Sequence, residues 1–376
     1  VLFEAKYALM NFYIHQRPNW PNFTWDDELL LKLLGSVRHL QGKIVGKMEA
    51  VGFDVRNEAS LDTLTLDILK TSEIEGEILD PEQVRSSLAK RLGLDIGGLI
   101  STDRNVDGVV DMLLDATQQA AQPLTEDRLF AWHSSLFPAG RSGLHKLLVG
   151  QWRKDSKGPM QVVSGSIGKE NIHFEAPPAE RVAAEMSTFL DWFNKELSLD
   201  PVIKAGIAHL WFITIHPFED GNGRIARALT DLLLTRGDGM SQRFYSMSTQ
   251  IRVERKGYYK ILEKSQQGLL DISAWLEWFL TCLLNALLNA EFTLQKVLVK
   301  HQFWLAHKGT TMNQRQIKTL NKLLDGFAGK LTTVKWAKIN KCSRDTALRD
   351  LQDLINKGLI EKEAGGGRSS SYELKI

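Results

Sequence analysis

A mainly α-helical fold is predicted, with one β-hairpin midway along the chain and a small helix-and-hairpin module at its C-terminus. Three observations predict it. Apolar residues recur at helical spacing through most of the chain. Good helix starts precede several of these runs, among them Asp26, Pro81, Thr125, Thr332 and Ser343. Only two stretches, 160–174 and 358–374, read as paired strands around a turn.

The 376 residues are 43% hydrophobic and 24% charged, an ordinary globular composition with room for two or three domains. Net charge is +2, so no global field marks a nucleic-acid or membrane-surface protein. Cys282 and Cys342 lie far apart on predicted helices. They form no disulfide framework or zinc site and suit a reducing cytoplasm, where the protein is expected. No signal-peptide pattern and no apolar run long enough to span a bilayer is visible, so no membrane partner is expected. The longest candidate, 275–288, is broken by Glu277 and Asn285. Val1 stands where a methionine would, and a few natural residues are expected to precede it.

Residues 1–25 are aromatic and proline-dotted (Phe3, Tyr7, Trp20, Phe23), an irregular arm that packs rings on the body. A long helix follows over 26–51, capped by Thr24 or Asp26, with a break at 53–55. The next helix is expected over 58–79, on Leu61, Leu64, Ile68 and Ile74. Its end carries Glu73, Glu75 and Glu77, which by pattern alone form a solvated acidic face. Pro81 opens a helix to about 92, and a glycine-rich connection covers 93–102. Helices over 103–119 and 125–137 come next. Residues 160–165 and 172–174 flank a turn at 166–171, and pattern does not say whether this hairpin has a role. Helices follow over 180–196 and 201–215, the second apolar nearly all round and therefore central. Further helices are expected from about 224 to the glycines at 237–239, through Tyr258 and Tyr259 to 267, and over 272–292. By pattern the paired tyrosines are core.

Residues 216–227 read His-Pro-Phe-Glu-Asp-Gly-Asn-Gly-Arg-Ile-Ala-Arg, and no packing demand explains them. Gly221, Asn222 and Gly223 make a turn with little bulk, through which backbone N–H groups can approach an anion. The turn feeds a helix N-terminus, itself an anion site. Arg224 and Arg227, three apart, share a face and can clamp neighbouring phosphates. Asp220 is a hard oxygen ligand suited to Mg²⁺, and His216 stands near enough to act as general base.

This stretch matches the Fic signature, His-Pro-Phe-x-[Asp/Glu]-Gly-Asn-Gly-Arg-x-x-Arg, at every specified position, and the chain resembles Fic proteins over about residues 58–290. The resemblance implies a Fic helical core that transfers AMP from ATP to a Ser, Thr or Tyr hydroxyl of a target protein, the chain itself included, and releases diphosphate. His216 would deprotonate the hydroxyl and Asp220 would hold Mg²⁺. The phosphates would lie on Gly221, Asn222, Gly223, Arg224, Ile225, Ala226 and Arg227. Gly223 stands where the kinase-like branch has lysine, which implies nucleotidyl rather than phosphoryl transfer. Thr71 to Gly76 matches the family's inhibitory pattern [Ser/Thr]-x-x-x-Glu-[Gly/Asn] and selects Glu75, which would pair with Arg227 in place of the γ-phosphate. By the same resemblance, Val162, Val163, Ser164 and Gly165 belong to a flap that docks target segments by main-chain pairing. Tyr258, Tyr259 and Gln266 would meet adenine, although the family often has asparagine where Gln266 stands.

Beyond a linker near 307–311, the chain holds thirteen Lys and Arg against seven Asp and Glu over 311–376, net +6, leaving −4 for the rest. Three helices (314–327, 332–339, 344–357) and a hairpin resemble a winged helix-turn-helix. Arg344, Thr346 and Arg349 would lie on its recognition helix and Arg368 on its wing, contacting DNA. Asp345, Asp350 and Asp353 dilute that face, and protein docking is the other reading. The expected organisation is an N-terminal helical arm (1–57), a Fic domain with inhibitory helix (58–290), a linker helix (291–310) and the winged-helix module (311–376). Two further functions stay open: removal of AMP from modified proteins, and nucleotide-sensing transcriptional regulation. A homodimer is among the assemblies this reading allows.

Overall fold

The structure is a computed structural model that describes residues 12–94, 99–156, 158–165, 171–324, 327, 329–363 and 370–375. Phe3 and Tyr7 of the arm, residues 95–98, hairpin-turn residues 166–170, and Gly365, Gly366, Gly367 and Arg368 of the C-terminal turn lie outside the described residues. Two compact units divide the chain, Val1–Ala290 and Glu291–Ile376.

In the first unit, residues 12–25 contain one short 3₁₀ turn and lay Trp20 and Phe23 edge-on against Trp211. Helix α1 spans Asp27–Glu49, its start fixed by Asp26, whose side chain accepts from the Leu29 N–H at 3.1 Å. Helix α2 spans Phe53–Ile74. It begins five residues before the expected start and ends five before the expected end. Phe53 and Val55 join its first turns, and Gly76, at φ +86°, stops it. A left-handed residue there lets the Glu77 N–H return to Ser72 O at 3.0 Å. Helix α3 spans Pro81–Leu92 between an Asp80 cap and left-handed Gly93. Helices α4 (Arg104–Gln118) and α5 (Glu126–Leu136) start on Asp103 and Thr125. A two-residue pair, β1 (Arg141–Ser142) and β2 (His145–Lys146), precedes the main hairpin, β3 (Gln161–Ser164) with β4 (Asn171–Glu175).

Helices α6 (Ala179–Lys195), α7 (Pro201–Ile215) and α8 (Asn222–Asp238) follow. Residues 202–215 of α7 are all buried, as its nearly all-round apolar composition demands, with Lys204, His209 and Thr214 the polar exceptions. Helix α8 packs along α7, and Gly206 lets Leu276 and Phe279 close onto α7 from another side; a Cβ there would lie 2.8 Å from Leu276 Cδ2. A short helix absent from the sequence expectations, α9 (Met247–Val253), is capped by Ser246. Helix α10 covers Arg255–Gln266. Helix α11, Ser273–Ala306, runs beyond the expected end at 292 through most of the predicted linker helix.

The second unit holds α12 (Gln314–Leu324), β5 (Leu331–Thr332), α13 (Thr333–Asn340), α14 (Arg344–Asn356), β6 (Ile360–Lys362) and β7 (Ser371–Leu374). The three strands form one antiparallel sheet in the order β5-β7-β6, so the expected hairpin gains a third strand. Trp336, Leu351, Leu354 and Leu359 fill its core. Asp350 faces inward, ion-paired with Arg315 at 2.7 Å and accepting from Asn313 at 2.8 Å. Asp353 accepts from Gln316 and pairs with Lys357. Arg344 and Arg349 are exposed. Five residues apart, they point roughly 140° from each other around α14. Thr346 Oγ1 lies 2.9 Å from Ser343 Oγ, in the cap.

The crossing of α4 and α5 matters to the site because Leu136 and Phe137 end α5 beneath Gly221. At that crossing Gly108 has no room for a side chain: a Cβ would sit 1.8 Å from Ser135 O, a backbone atom that cannot rotate away. Gly108→Ala is expected to destabilise the first unit by about 1–3 kcal/mol or more. A urea titration giving an unchanged midpoint would show that the helices separate freely.

Candidate functional site

The site is built where α7 ends and α8 begins. His216 closes α7 in the left-handed region (φ +51°), uncommon outside glycine, with its N–H still bonded to Phe212 O at 3.0 Å. Several contacts hold that conformation. The Arg153 guanidinium, 1% exposed, donates from Nε to His216 O at 2.8 Å and from another nitrogen to Pro177 O. The Arg153 N–H donates to Pro217 O. Phe218 is fully buried and stacks on His133 at 4.2 Å between centroids. Asn222 holds the loop from within, its side chain exchanging two hydrogen bonds with the Phe218 backbone at 2.8 and 3.0 Å. The Asn222 amide is therefore spent on the turn.

The His216 ring has its Nδ1 3.3 Å from Ile213 O. A carbonyl only accepts, so Nδ1 carries the hydrogen and Nε2 the lone pair. Desolvation lowers its pKa from 6.5 to about 4, with Arg153 also favouring the neutral form, against the Ile213 carbonyl, Asp220 and Glu75. At neutral pH the imidazole is uncharged and able to take a proton.

Gly221 stands at φ +82° as the cap of α8. A Cβ on it would lie 2.9 Å from Phe137 Cε2. The first N–H groups of α8, on Asn222, Gly223 and Arg224, have no intrahelical acceptor. The Ile225 N–H already donates to Gly221 O, and the Ile225 and Ala226 side chains are fully buried. Beside this N-terminus opens a cavity of about 800 Å³. His216, Asp220, Gly221, Asn222 and Gly223 line it, as do Glu75, Val162, Val163, Ser164, Tyr258, Tyr259 and Gln266. Gly165 and the two motif arginines are not among its lining residues.

Carboxylates cover both arginines. Arg227, 2% exposed, donates from Nη2 to Glu75 Oε1 at 2.6 Å and to Thr71 O at 3.0 Å, and from Nε to Thr71 Oγ1 at 2.7 Å. Burial opposes its charge most strongly, but Glu75 together with Tyr258 and Tyr259 outweighs it and its pKa is raised. Arg224, 4% exposed, lies over the Phe137 ring and donates to Glu77 Oε2 at 2.6 Å. Arg227 Nη1 and Arg224 Nε are buried without a hydrogen-bond partner among the described residues. Glu73, the third carboxylate of the run, pairs with Lys70 and Arg252. The sequence reading chose Glu75 alone and missed Glu77. The signal was the alternate spacing, but the reversal at Gly76 that turns Glu77 toward Arg224 has no sequence periodicity. Gly223 leaves space for Glu75: a Cβ on it would lie 2.3 Å from Glu75 Oε1.

Of the residues expected at adenine, Tyr258 is 2% exposed and its hydroxyl is 2.8 Å from His209 Nε2, while His209 Nδ1 is 2.9 Å from Thr230 Oγ1. Tyr259 keeps 40% of its surface. Gln266 donates to Thr214 Oγ1 at 3.3 Å. Among the described residues no three His, Cys, Asp or Glu side chains converge as a metal cage. Asp220, half-buried on the cavity wall, is one hard carboxylate, which fits Mg²⁺ carried mainly by phosphate oxygens and water. No helix among the described residues is long and apolar enough to cross a membrane.

Residues 123–234 match the Fic/DOC family model, and residues 13–94 match a domain of unknown function, DUF4172. The chain is 30% identical over 177 residues to protein adenylyltransferase fic-1 of Caenorhabditis elegans and equally to that of Caenorhabditis briggsae; each alignment covers 46% of this chain and 32% of the relative. A probable protein adenylyltransferase of Aquifex aeolicus is 33% identical over 98 residues, 25% of this chain and 31% of the relative. The chain thus spans about a third of the length of the curated relatives it matches. In fold it is similar to a Fic family protein from Desulfovibrio desulfuricans, with a TM-score of 0.51 at 22% identity over 92% of this chain and 96% of the other. It is also similar to a Fic domain containing signaling protein from Bacteroides thetaiotaomicron, at 0.50 and 21% over 68% and 96%. The chain therefore carries a Fic domain, homologous to proteins named protein adenylyltransferase.

Proposed function

We propose that the protein transfers AMP from ATP to Ser, Thr or Tyr hydroxyls of proteins, and that its own Glu75 restrains the reaction. One observation carries the reading: a neutral imidazole, a glycine turn at a helix N-terminus and a carboxylate share the wall of one cavity, beside two buried guanidiniums. In this reading the free N–H groups of α8 bind the α-phosphate, and Arg224 and Arg227 bind the β- and γ-phosphates. His216 Nε2 takes the hydroxyl proton as oxygen attacks the α-phosphorus and diphosphate departs. Bound at Asp220, Mg²⁺ would neutralise charge on the phosphates. The hairpin β3–β4 serves as the flap, and Tyr258, Tyr259 and Gln266 face the base.

Before ATP can reach either arginine, a carboxylate must leave. Beside a triphosphate Glu75 would meet like charge, whereas on Arg227 it forms a charge-assisted bond. Glu75→Gly is expected to raise the AMP-transfer rate by on the order of tenfold or more, the factor that about 1.4 kcal/mol gives. Glu77→Gln, which frees the shallower arginine, should raise it less, and the double variant should exceed both. Transfer of labelled AMP at equal rates by all four proteins would remove the restraint. Glu75 also lines the cavity, which favours the reverse reading, water attack on an AMP-modified protein. Modified target incubated with parent and Glu75→Gly would reveal hydrolysis by the parent alone.

His216→Ala in the Glu75→Gly background should abolish transfer and spare ATP binding. The ring is neutral above about pH 4. Removing Glu75 removes a charge that raises that value, so the direction holds. A plot of kcat/KM against pH should therefore show no inflection from this base near 6.5. Loss of activity through 6.5 would mean an ordinary, solvated imidazole.

The second unit is read as a winged helix. Asp350 is buried against Arg315, while Arg344 and Arg349 are exposed on separate parts of α14, so the nucleic-acid reading rests on exposed arginines rather than on one shared face. DNA mobility shifts should weaken with salt and be lost on substitution of both arginines. Unchanged shifts would leave protein docking.

A further inference from the structure

Strands β3 and β4 do not pair regularly. Val162 faces Phe174, but Val163 faces Ile172, so His173 is an extra residue on β4. In a regular ladder His173 would lie opposite Val163, on the other face from Ser164. The bulge re-aims it. His173 Nε2 is 2.6 Å from Ser164 Oγ, and His173 Nδ1 is 3.1 Å from Glu263 Oε2 on α10. A carboxylate only accepts, so Nδ1 carries the hydrogen and Nε2 faces the serine with its lone pair. Gln267 holds the bulge by donating to His173 O at 3.0 Å. A hydroxyl, an imidazole and an orienting carboxylate in series are the arrangement that activates a serine nucleophile.

All three side chains line the cavity that also holds His216, Asp220 and Gly223. Ser164 is the one aliphatic hydroxyl among the described residues lining it. The two phenols there are held protonated: burial raises the pKa of both, and the Tyr258 hydroxyl is engaged with His209. We propose that Ser164 is an acceptor of the nucleotidyl group, a self-modification site served by its own base, His173, and oriented by Glu263. The proposal rests on the reading that the cavity takes ATP for AMP transfer. Ser164 Oγ forms a bond to the α-phosphorus, and the bond from that phosphorus to the bridging oxygen of the β-phosphate breaks. Diphosphate leaves with the electron pair, and the hydroxyl proton passes to His173 Nε2. The product is a phosphodiester on the edge of β3.

Two measurements test it. In the first, the Glu75→Gly chain is incubated with labelled ATP and Mg²⁺ in a cell lysate, and both total AMP incorporation and the chain's own peptides are analysed. One adenylyl group is expected on the Ser164 peptide, reduced at least about a hundredfold by His173→Gln, the low end of what a positioned base contributes. AMP on other hydroxyls with none on Ser164 overturns the proposal and leaves the transferase reading standing. Incorporation into nothing overturns both. In the second, the unmodified parent chain is treated with a fluorophosphonate, a phosphorus electrophile that needs no ATP site. Ser164 should be labelled, and His173→Gln should slow the labelling. An unlabelled Ser164, or labelling at the same rate without His173, also overturns the proposal.

Discussion

Everything in the site depends on a guanidinium that has been taken out of water. Arg227 sits on α8 with 2% of its side chain exposed, and a buried cation of that kind requires an anion beside it. Glu75 supplies one at Nη2, while Thr71 provides two uncharged acceptors along the same edge, its carbonyl at Nη2 and its hydroxyl at Nε. The asymmetry matters. Glu75 is 32% exposed and can be drawn away, whereas the Thr71 contacts come from the body of α2 and hold the guanidinium in place. The arginine is thus oriented by α2 independently of Glu75, and in the proposed function the anion that meets it would change from Glu75 to a phosphate.

The surrounding fold serves that arrangement. Helix α7 is buried throughout and fixes where His216 emerges, while Arg153, Phe218 and Asn222 take up the polar and apolar demands of the loop that follows. His209 joins α7 to Thr230 of α8 and Tyr258 of α10 in one buried chain of hydrogen bonds, and its pKa is lowered to about 3 by burial, with Arg227 adding to the effect. Helix α2 is tied to the same framework. Asp67 accepts from Ser246, and Asp231, buried with an elevated pKa chiefly through desolvation and then the nearness of Asp67, meets Arg243 at 2.9 Å. The helix carrying Glu75 and the helix carrying Arg227 are held by separate, satisfied polar groups. Their ion pair therefore does not have to hold the fold together.

Much of this was legible in the residues, and the limits have physical causes. Helix starts with an oxygen-bearing cap were readable because the cap is a local chemical event: Asp26, Thr125, Thr332 and Ser343 all accept from the first turn. The end of α2 was not, because Glu75 to Glu77 could continue a helix by composition and only left-handed Gly76 stops them. Helix α9 is seven residues long, too short for a period to declare itself. The His216, Asp220 and Gly221–Gly223 cluster was legible as a linear motif because sequence neighbours are also spatial neighbours there. Arg153 and His133 reach the same loop from distant segments, and the β4 bulge that brings His173 to Ser164 is a register event that leaves the alternation of the strand unmarked.

Gly223 draws these constraints together. Its missing side chain leaves a space, a single atom wide, between α8 and the turn after α2, and Glu75 Oε1 fills it 2.3 Å from where a Cβ would be. Gly223 itself belongs to the first turn of α8, where the helix dipole favours negative charge, so the space suits an anion. One anion can occupy it. A second brought alongside would face like-charge repulsion in a partly desolvated pocket, where screening is weak. In the proposed function, exclusion between the protein's own carboxylate and an incoming anion would thus require no long-range rearrangement. It follows from one glycine, one buried arginine and the reach of one glutamate.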